Sequence, residues 1–119
     1  MQKYVYHNSN ADFKEFSLDY FGGTDAGSYC KGIYFSGKPD KRYGKKQYKA
    51  YINMQNPLRR EDDPQRFNVN FRDLANMKTK REEITKRLIE DGYDGVIVQD
   101  SQYIVFDPSQ IKIVSVTDV

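Results

Sequence analysis

Three side chains that lie far apart in the sequence are the first candidates for chemistry: His7, Tyr34 and Gln102. His7 ends the alternating stretch KYVYH, and Tyr34 lies in KGIYFSG, directly after a glycine-rich loop. Tyr43 follows nine residues later, within a basic run. Aromatic side chains beside glycine and charged residues often line a ligand cleft, whereas a histidine taken alone is more often structural. Gln102 opens QYIVFD and should place a neutral amide at the mouth of a strand.

Apolar periodicity predicts the strands that hold these residues. They are expected over 3–7, 31–37, 48–58, 95–100, 102–107 and 110–119. The pair Asn56-Pro57 should interrupt the third of them, and the charged segment 59–67 is expected to be a surface loop. The chain contains no repeat and no linker, so we expect one domain of α+β class.

One segment, 79–92, carries the clearest helical pattern. Thr79 and Glu82 have the spacing of a capping box, and Gly92 is placed as the glycine that follows a helix C-terminus. The apolar stripe of this helix consists of Ile84, Leu88 and Ile89. A second, short helix is expected over 38–47, with Pro39 near its start and Gly44 near its end.

Composition limits the class of protein. A chain of 119 residues can bury one hydrophobic core but not two, so 1–119 is expected to be a single domain. Nineteen Lys and Arg against seventeen Asp and Glu give a net charge of +2, which by itself does not indicate a nucleic-acid protein. The single cysteine, Cys30, favours a reducing compartment. No apolar run approaches a membrane span and the N-terminus has no signal-like core, so a soluble, cytoplasmic protein is expected.

The segments around the three candidate residues together resemble the ADP-ribosyltransferase superfamily. The branch concerned has a His-Tyr-Glu constellation and includes the poly(ADP-ribose) polymerases and the diphtheria-type toxins. YHNS at 6–9 is similar to its first motif, CKGIYFS at 30–36 to its second, and SQYIVFDPSQIK at 101–112 to its third. INMQNPL at 52–58 and GYDGVIV at 92–98 also resemble segments of small phage and bacterial members. The resemblance implies two small, bent, mostly antiparallel sheets around an NAD cleft, with one main helix and short flanking helices.

The resemblance also implies roles for individual residues, with NAD as substrate and no metal. His7 would hydrogen-bond a ribose hydroxyl of NAD, backbone groups of Asn8 would bind the carboxamide, and Tyr34 would stack on the nicotinamide ring. Tyr43 would form a second wall of the site. The remaining candidates for contact with NAD are Ser9, Gly32 and Ser36.

Gln102 departs from the family pattern, in which a glutamate stands before Tyr-Ile-Val. The resemblance implies that this glutamate binds a ribose hydroxyl and stabilises the cationic sugar; glutamine keeps an acceptor oxygen but loses the charge. Three explanations are open: a natural transferase with an altered residue, an introduced replacement of glutamate that traps NAD, or a non-catalytic NAD-binding domain. Asp100, two residues earlier, is either an acceptor-recognising residue or a solvated aspartate of a turn.

The expected function is therefore mono-ADP-ribosyl transfer to a macromolecule with release of nicotinamide. The resemblance implies a phage or bacterial effector, toxin or inhibitor of host defence, acting as a monomer in the host cytoplasm if it is phage-encoded. A protein acceptor is expected, with nucleic acid or a small molecule as alternatives. The basic run 38–49, interleaved with Tyr43 and Tyr48, is either a solvated face or a contact for the NAD pyrophosphate or an acidic acceptor. A binding module for NAD or single-stranded nucleic acid is the alternative function.

Overall fold

A computed structural model describes residues 1–10, 29–39, 42, 44–67 and 77–118 of the chain. The strands in this part of the chain are β1 (Gln2–Ser9), β2 (Ile33–Ser36), β3 (Lys46–Asn53), β4 (Pro57–Arg59), β5 (Gly95–Val98), β6 (Gln102–Val105) and β7 (Ile111–Asp118). Helix α1 spans Met77–Glu90, and short 3-10 segments occupy Arg60–Asp62, Pro64–Phe67 and Pro108–Gln110. No helix among the described residues is long and apolar enough to cross a membrane.

The strands form one seven-stranded sheet in the order β4-β5-β6-β2-β1-β3-β7. Neighbouring strands in this sheet run antiparallel, except that β4 and β5 run parallel. The predicted α+β class, with one main helix and mostly antiparallel strands, is confirmed. The expected division into two separate sheets is not confirmed, because β1 and β2 join the two groups of strands through the pair Tyr6 and Ser36.

One face of the sheet packs against itself. Val5 and Ile52, from β1 and β3, lie in the same buried cluster as Ile97 and Tyr103, from β5 and β6. These strands are not neighbours in the sheet, so the sheet must bend until its two ends cover each other. Gly95 lies where the packing is tight: a Cβ atom there would lie 2.1 Å from the Met54 sulfur and 2.8 Å from the Ile104 carbonyl oxygen, so a larger residue would force these groups to shift.

Helix α1 covers the opposite face of the β5-β6-β2 part of the sheet. Leu88 is fully buried there beside Val96 and Ile104, and Ile84 packs against the same cluster. The third residue of the predicted apolar stripe, Ile89, is instead 52% exposed. The buried contact surface of this helix is therefore narrower than the sequence pattern predicts.

The two ends of α1 differ in how well they were predicted. Gly92 follows the helix with φ +93°, its N–H donates to the Ile89 carbonyl at 3.0 Å, and the Tyr93 N–H donates to the Leu88 carbonyl at 2.9 Å. These two bonds are those of a Schellman motif, so the predicted C-terminal glycine is confirmed. The predicted capping box is wrong, because the helix is already formed at Met77 and Thr79 lies inside its first turn.

The helix expected over 38–47 is also wrong at its C-terminal end. Lys46 and Gln47 open strand β3, which lies between β1 and β7 and alternates between buried and half-buried residues. Burial of every second residue on a sheet face requires an extended chain, and this outweighs the helical spacing of the basic residues. Residues 40, 41 and 43 of the expected helix lie outside the described residues. The charged segment 59–67 forms two short 3-10 segments, and the second buries Phe67.

Candidate active site

The first two strands diverge at the centre of the sheet. The register between β1 and β2 contains a single residue pair, Tyr6 opposite Ser36. Every residue of both strands lies in the described part of the chain, so the two strands separate on either side of this pair. Beyond this pair, β1 stays paired with β3 as far as Ser9, while β2 stays paired with β6 as far as Ile33. We call the place where residues 7–9 and 33–35 separate the β1–β2 fork. Six of the predicted site residues lie in it or beside it: His7, Asn8, Ser9, Gly32, Tyr34 and Ser36.

A row of polar side chains crosses the sheet at the base of the fork. Gln102 of β6 lies opposite Ser36 of β2, which lies opposite Tyr6 of β1. Directly paired residues share a face of the sheet, so these three side chains lie side by side. All three are partly exposed. The row brings together two predicted site residues and adds Tyr6, which the motif reasoning missed although strand alternation in YVYHNS could have indicated it.

His7 is the first residue of β1 beyond this row. Its Nδ1 lies 2.8 Å from the Tyr34 carbonyl oxygen. Because a carbonyl only accepts, Nδ1 carries the proton and Nε2 is the acceptor nitrogen of the neutral ring. Burial lowers the pKa of His7, and the bond to the Tyr34 carbonyl opposes that shift only in part. His7 is therefore a neutral imidazole near pH 7, suited to accept a hydrogen bond from a hydroxyl group.

The His7 ring and the Tyr34 ring point to opposite faces of the sheet by strand alternation. The imidazole packs near Phe35 and Tyr48, with ring centroids at 5.9 Å and 6.4 Å. Strand alternation places those rings on the self-packed face of the sheet, whereas Tyr34 and Gln102 share the face beneath α1. The structure thus connects His7 to Tyr34 through the backbone carbonyl. The predicted role of His7 at the ribose remains a prediction.

Tyr34 is fixed by its hydroxyl group. That oxygen accepts from the backbone N–H of Tyr29 at 3.0 Å and of Cys30 at 3.1 Å, and it donates to the Cys30 carbonyl at 2.6 Å. Burial raises the pKa of Tyr34, so the hydroxyl stays protonated. The hydroxyl group is engaged by the loop that precedes β2, which leaves the ring as the part of Tyr34 that can serve a ligand.

The other residues predicted to contact NAD either have partners within the protein or lie outside the described residues. Gly32 is buried against β6, where a Cβ atom would lie 2.6 Å from Ile104 Cγ2. Close packing against β6 therefore explains why position 32 is a glycine, without any role for a ligand. The Asn8 amide donates to the Gly44 carbonyl at 3.4 Å, and Ser9 pairs with Lys46 of β3. Tyr43 lies outside the described residues.

The turn before Gln102 has a strained backbone and is held by side chains from another segment of the chain. Gln99 and Asp100 both have φ +52°, which non-glycine residues adopt at a cost of about 1 kcal/mol each. The Gln99 N–H donates to Glu61 Oε1 at 2.6 Å, and Arg59 donates to Asp100 Oδ1 at 2.6 Å. The Asp100 carboxylate, the predicted acceptor-side group, is therefore paired with Arg59. Arg59 and Glu61 lie in the segment predicted as a plain surface loop, and no local pattern links them to a turn so distant in sequence.

The basic run beside the second motif is not one surface. Lys46 pairs with Asp118 at 3.2 Å, while Lys49 lies over the Tyr4 ring at 5.0 Å from its centroid. Lys41 and Tyr43 lie outside the described residues. Within the described ranges, no three His, Cys, Asp or Glu side chains form a group that could hold a metal ion. The described polar side chains at the fork and beside it include the His7 imidazole, serine hydroxyl groups and the Asn8 and Gln102 amides, which suit hydrogen bonding to a sugar or a carboxamide.

A family model described as "ADP-Ribosyltransferase in polyvalent proteins" matches residues 1–118. Nothing matches the chain among the curated proteins or among the solved structures. The matched range includes all three motifs, the β1–β2 fork and the turn before Gln102. By this match over nearly its whole length, the chain belongs to the ADP-ribosyltransferase family of polyvalent proteins.

Proposed function

We propose that the protein binds NAD at the β1–β2 fork and transfers ADP-ribose from it to an acceptor, with release of nicotinamide. Membership of the family supports transferase activity. The observation that carries the assignment of the site is the divergence of β1 from β2 directly beside the row formed by Gln102, Ser36 and Tyr6. Two strands that separate offer backbone and side-chain groups from both sides to one ligand, as a binding cleft requires.

The groups at the fork fit the parts of NAD. The neutral His7 ring, with its proton on Nδ1, has the tautomer needed to accept from a ribose hydroxyl at Nε2. The Tyr34 ring is held by its hydroxyl and presents an apolar surface to a planar ring. The nicotinamide carboxamide needs donors and acceptors in an extended segment, which Asn8 can supply through its backbone. Ser36 and Gln102, opposite each other, can bind a second ribose hydroxyl.

The reaction breaks the bond between C1′ of the ribose and the ring nitrogen of nicotinamide. The bonding electrons leave with nicotinamide, which becomes neutral, and the ribose develops positive charge. An acceptor nucleophile then forms a bond to C1′ and loses its proton to solvent or to a nearby base. Catalysis depends on groups that stabilise the cationic sugar more strongly than the intact substrate.

Gln102 is the group that limits this stabilisation. Its amide oxygen can accept from a ribose hydroxyl, but it carries no negative charge to offset the cation. Loss of one preorganised electrostatic contact typically lowers turnover by about 10²–10³-fold. We therefore propose that the chain binds NAD normally and transfers ADP-ribose slowly. A protein acceptor in the host cytoplasm remains our working proposal.

The test is Gln102→Glu, which exchanges the amide for a carboxylate of nearly the same shape. Nicotinamide release from NAD should rise by about 10²-fold or more, while NAD affinity measured by calorimetry should change little. Gln65→Glu is the matched control, because Gln65 is exposed in the 3-10 segment Pro64–Phe67 and should leave both quantities unchanged.

Two outcomes would contradict the proposal. If Gln102→Glu still binds NAD but is no faster than the parent chain, then β6 does not carry the catalytic position. If neither form binds NAD, the fork is not an NAD site. Incubation of host lysate with labelled NAD and the Gln102→Glu variant then identifies the acceptor class, because the label moves to protein, nucleic acid or a small molecule.

A further inference from the structure

A second polar surface lies on β1, β3 and β7, on the side of these strands opposite the self-packed core. The register aligns Tyr4 with Tyr51 and Lys112, and Tyr6 with Lys49 and Ser115. The buried residues Val5, Tyr48 and Ala50 alternate with these positions and therefore face the other way. We call the surface formed by Tyr4, Tyr6, Lys49, Tyr51 and Lys112 the tyrosine-lysine face.

This face is open to solvent. Tyr4 is 53% exposed, Lys112 is exposed, and Tyr6, Lys49 and Tyr51 are partly exposed. Several aromatic rings on this face thus keep part of their surface in contact with solvent, where a ligand could stack on them. Tyr4 and Tyr51 pack against each other, with centroids 4.9 Å apart and planes at 55°, and Lys49 lies over the Tyr4 ring.

The charge of the face is of one sign. The remaining register positions on it carry Asn, Gln, Ser and Thr, and none carries Asp or Glu. Lys46 and Asp118, which form an ion pair, belong to the opposite side of the same strands by alternation. A surface with two lysines, three tyrosines, several amides and no carboxylate is complementary to a polyanion that also has planar rings.

The spacing of the aromatic residues fits stacked bases. Tyr4 and Tyr6 are two residues apart on β1, which corresponds to about 6.6 Å along a strand. That distance is close to the separation of successive bases in an extended single strand. Lys49 now lies over the Tyr4 ring at 5.0 Å. A base that stacked on Tyr4 would displace this ammonium, which could then pair with the adjoining phosphate.

We propose that the tyrosine-lysine face is a binding site for single-stranded nucleic acid, which adjoins the NAD site at the fork and shares Tyr6 with it. The tyrosines supply stacking platforms that tolerate any base sequence, and Lys49 and Lys112 neutralise phosphates. The net charge of only +2 does not argue against this, because the relevant charge is that of one face. The proposal does not depend on transfer activity.

The first experiment measures fluorescence anisotropy of a labelled twelve-nucleotide oligothymidylate with the whole chain. We expect saturable binding that weakens as salt is raised, and a blunt duplex of the same length should bind at least about tenfold more weakly, because its bases cannot stack on tyrosine. Equal affinity for the duplex, or equal competition by poly-glutamate, would overturn the proposal in favour of a general attraction for polyanions or acidic protein. Absence of oligothymidylate binding at low salt would also overturn it.

The second experiment separates stacking from charge. Tyr4→Ala should weaken oligothymidylate binding about tenfold, whereas Tyr4→Phe keeps the ring and should bind like the parent chain. The double variant Lys49→Ala with Lys112→Ala should lower the slope of log affinity against log salt by about 1.4. Lys86→Ala, on the exposed side of α1, is the matched control and should change neither value.

Tyr4 is mostly exposed, so its loss should leave the fold intact, and circular dichroism checks this for each variant. Unchanged binding in a folded Tyr4→Ala variant would refute the assignment of this face. A slope that falls equally in Lys86→Ala would show that the lysines act only through overall charge.

Discussion

The substitution Tyr34→Phe should separate the structural role of this residue from its role at the ligand. It removes one oxygen, which accepts two backbone N–H bonds from Tyr29 and Cys30 and donates to the Cys30 carbonyl. Two backbone N–H groups in a half-buried loop then lose their acceptor. Each unsatisfied N–H should lower the free energy of unfolding by about 1 kcal/mol, the lower end of the usual range. We therefore expect the free energy of unfolding to fall by about 2 kcal/mol and the melting temperature by about 8 °C.

The assay is urea denaturation followed by far-ultraviolet circular dichroism. Tyr51→Phe is the matched control, because its hydroxyl donates to Gln2 Oε1 at 2.8 Å in an exposed position and its loss should cost less than about 0.5 kcal/mol. Since Tyr34→Phe keeps the ring, NAD affinity below the melting temperature should persist if the ring stacks on nicotinamide. If Tyr34→Phe is as stable as Tyr51→Phe, the three bonds do not hold the loop and the reasoning fails.

Three further outcomes follow from single side chains. Gly32→Ala should destabilise the fold by about 2 kcal/mol, because the added Cβ would lie 2.6 Å from Ile104 Cγ2. The control Gly37→Ala, whose added Cβ would have its nearest neighbour at 3.7 Å, should cost less than about 0.5 kcal/mol. Equal urea denaturation midpoints for the two variants would contradict this. Burial raises the pKa of the Cys30 thiol to about 12, so a thiol reagent at about pH 8 should label it only after unfolding. Rapid labelling of native protein would show that the site is open. Burial lowers the pKa of His7 below 6.5, so the unfolded state binds the proton more readily and the free energy of unfolding should decrease as pH falls below 6.5. A melting profile from about pH 7.5 to 5.5 should show this loss in the parent chain and less of it in His7→Gln.

The fold was predictable wherever a local pattern and the tertiary contacts agree. Val96 and Ile104 lie in short, continuous apolar runs, and both runs are strands within the sheet. Gly92 adopts the positive φ that its place after a helix predicts. The prediction failed at Lys46, where basic residues at helical spacing enter a strand, because pairing with both β1 and β7 depends on residues distant in sequence.

The family could be predicted from short sequence segments, whereas the contacts of the candidate site residues could not. Resemblance to the family points to His7, Tyr34 and Gln102; the family match confirms membership of the family, and the roles of these three residues stay predictions. It does not indicate that the Tyr34 hydroxyl binds its own upstream loop, or that Arg59 and Glu61 hold the turn before Gln102. Such contacts follow from strand register and loop placement, which short-range spacing does not encode.

The order of strands in the sheet also has a consequence for how the chain folds. Strands β5 and β6 are joined by residues 99–101 alone, whereas β1 pairs with β3 and β3 pairs with β7 across long stretches of sequence. Closing those long loops costs chain entropy before the strands can gain free energy from pairing. We expect the β5–β6 hairpin to form first and strand β1, which lies between β2 and β3, to be inserted late, on a timescale of about milliseconds to seconds. Nascent chains emerging from the ribosome would then hold β1 unpaired at least until β2 and β3 have been synthesised.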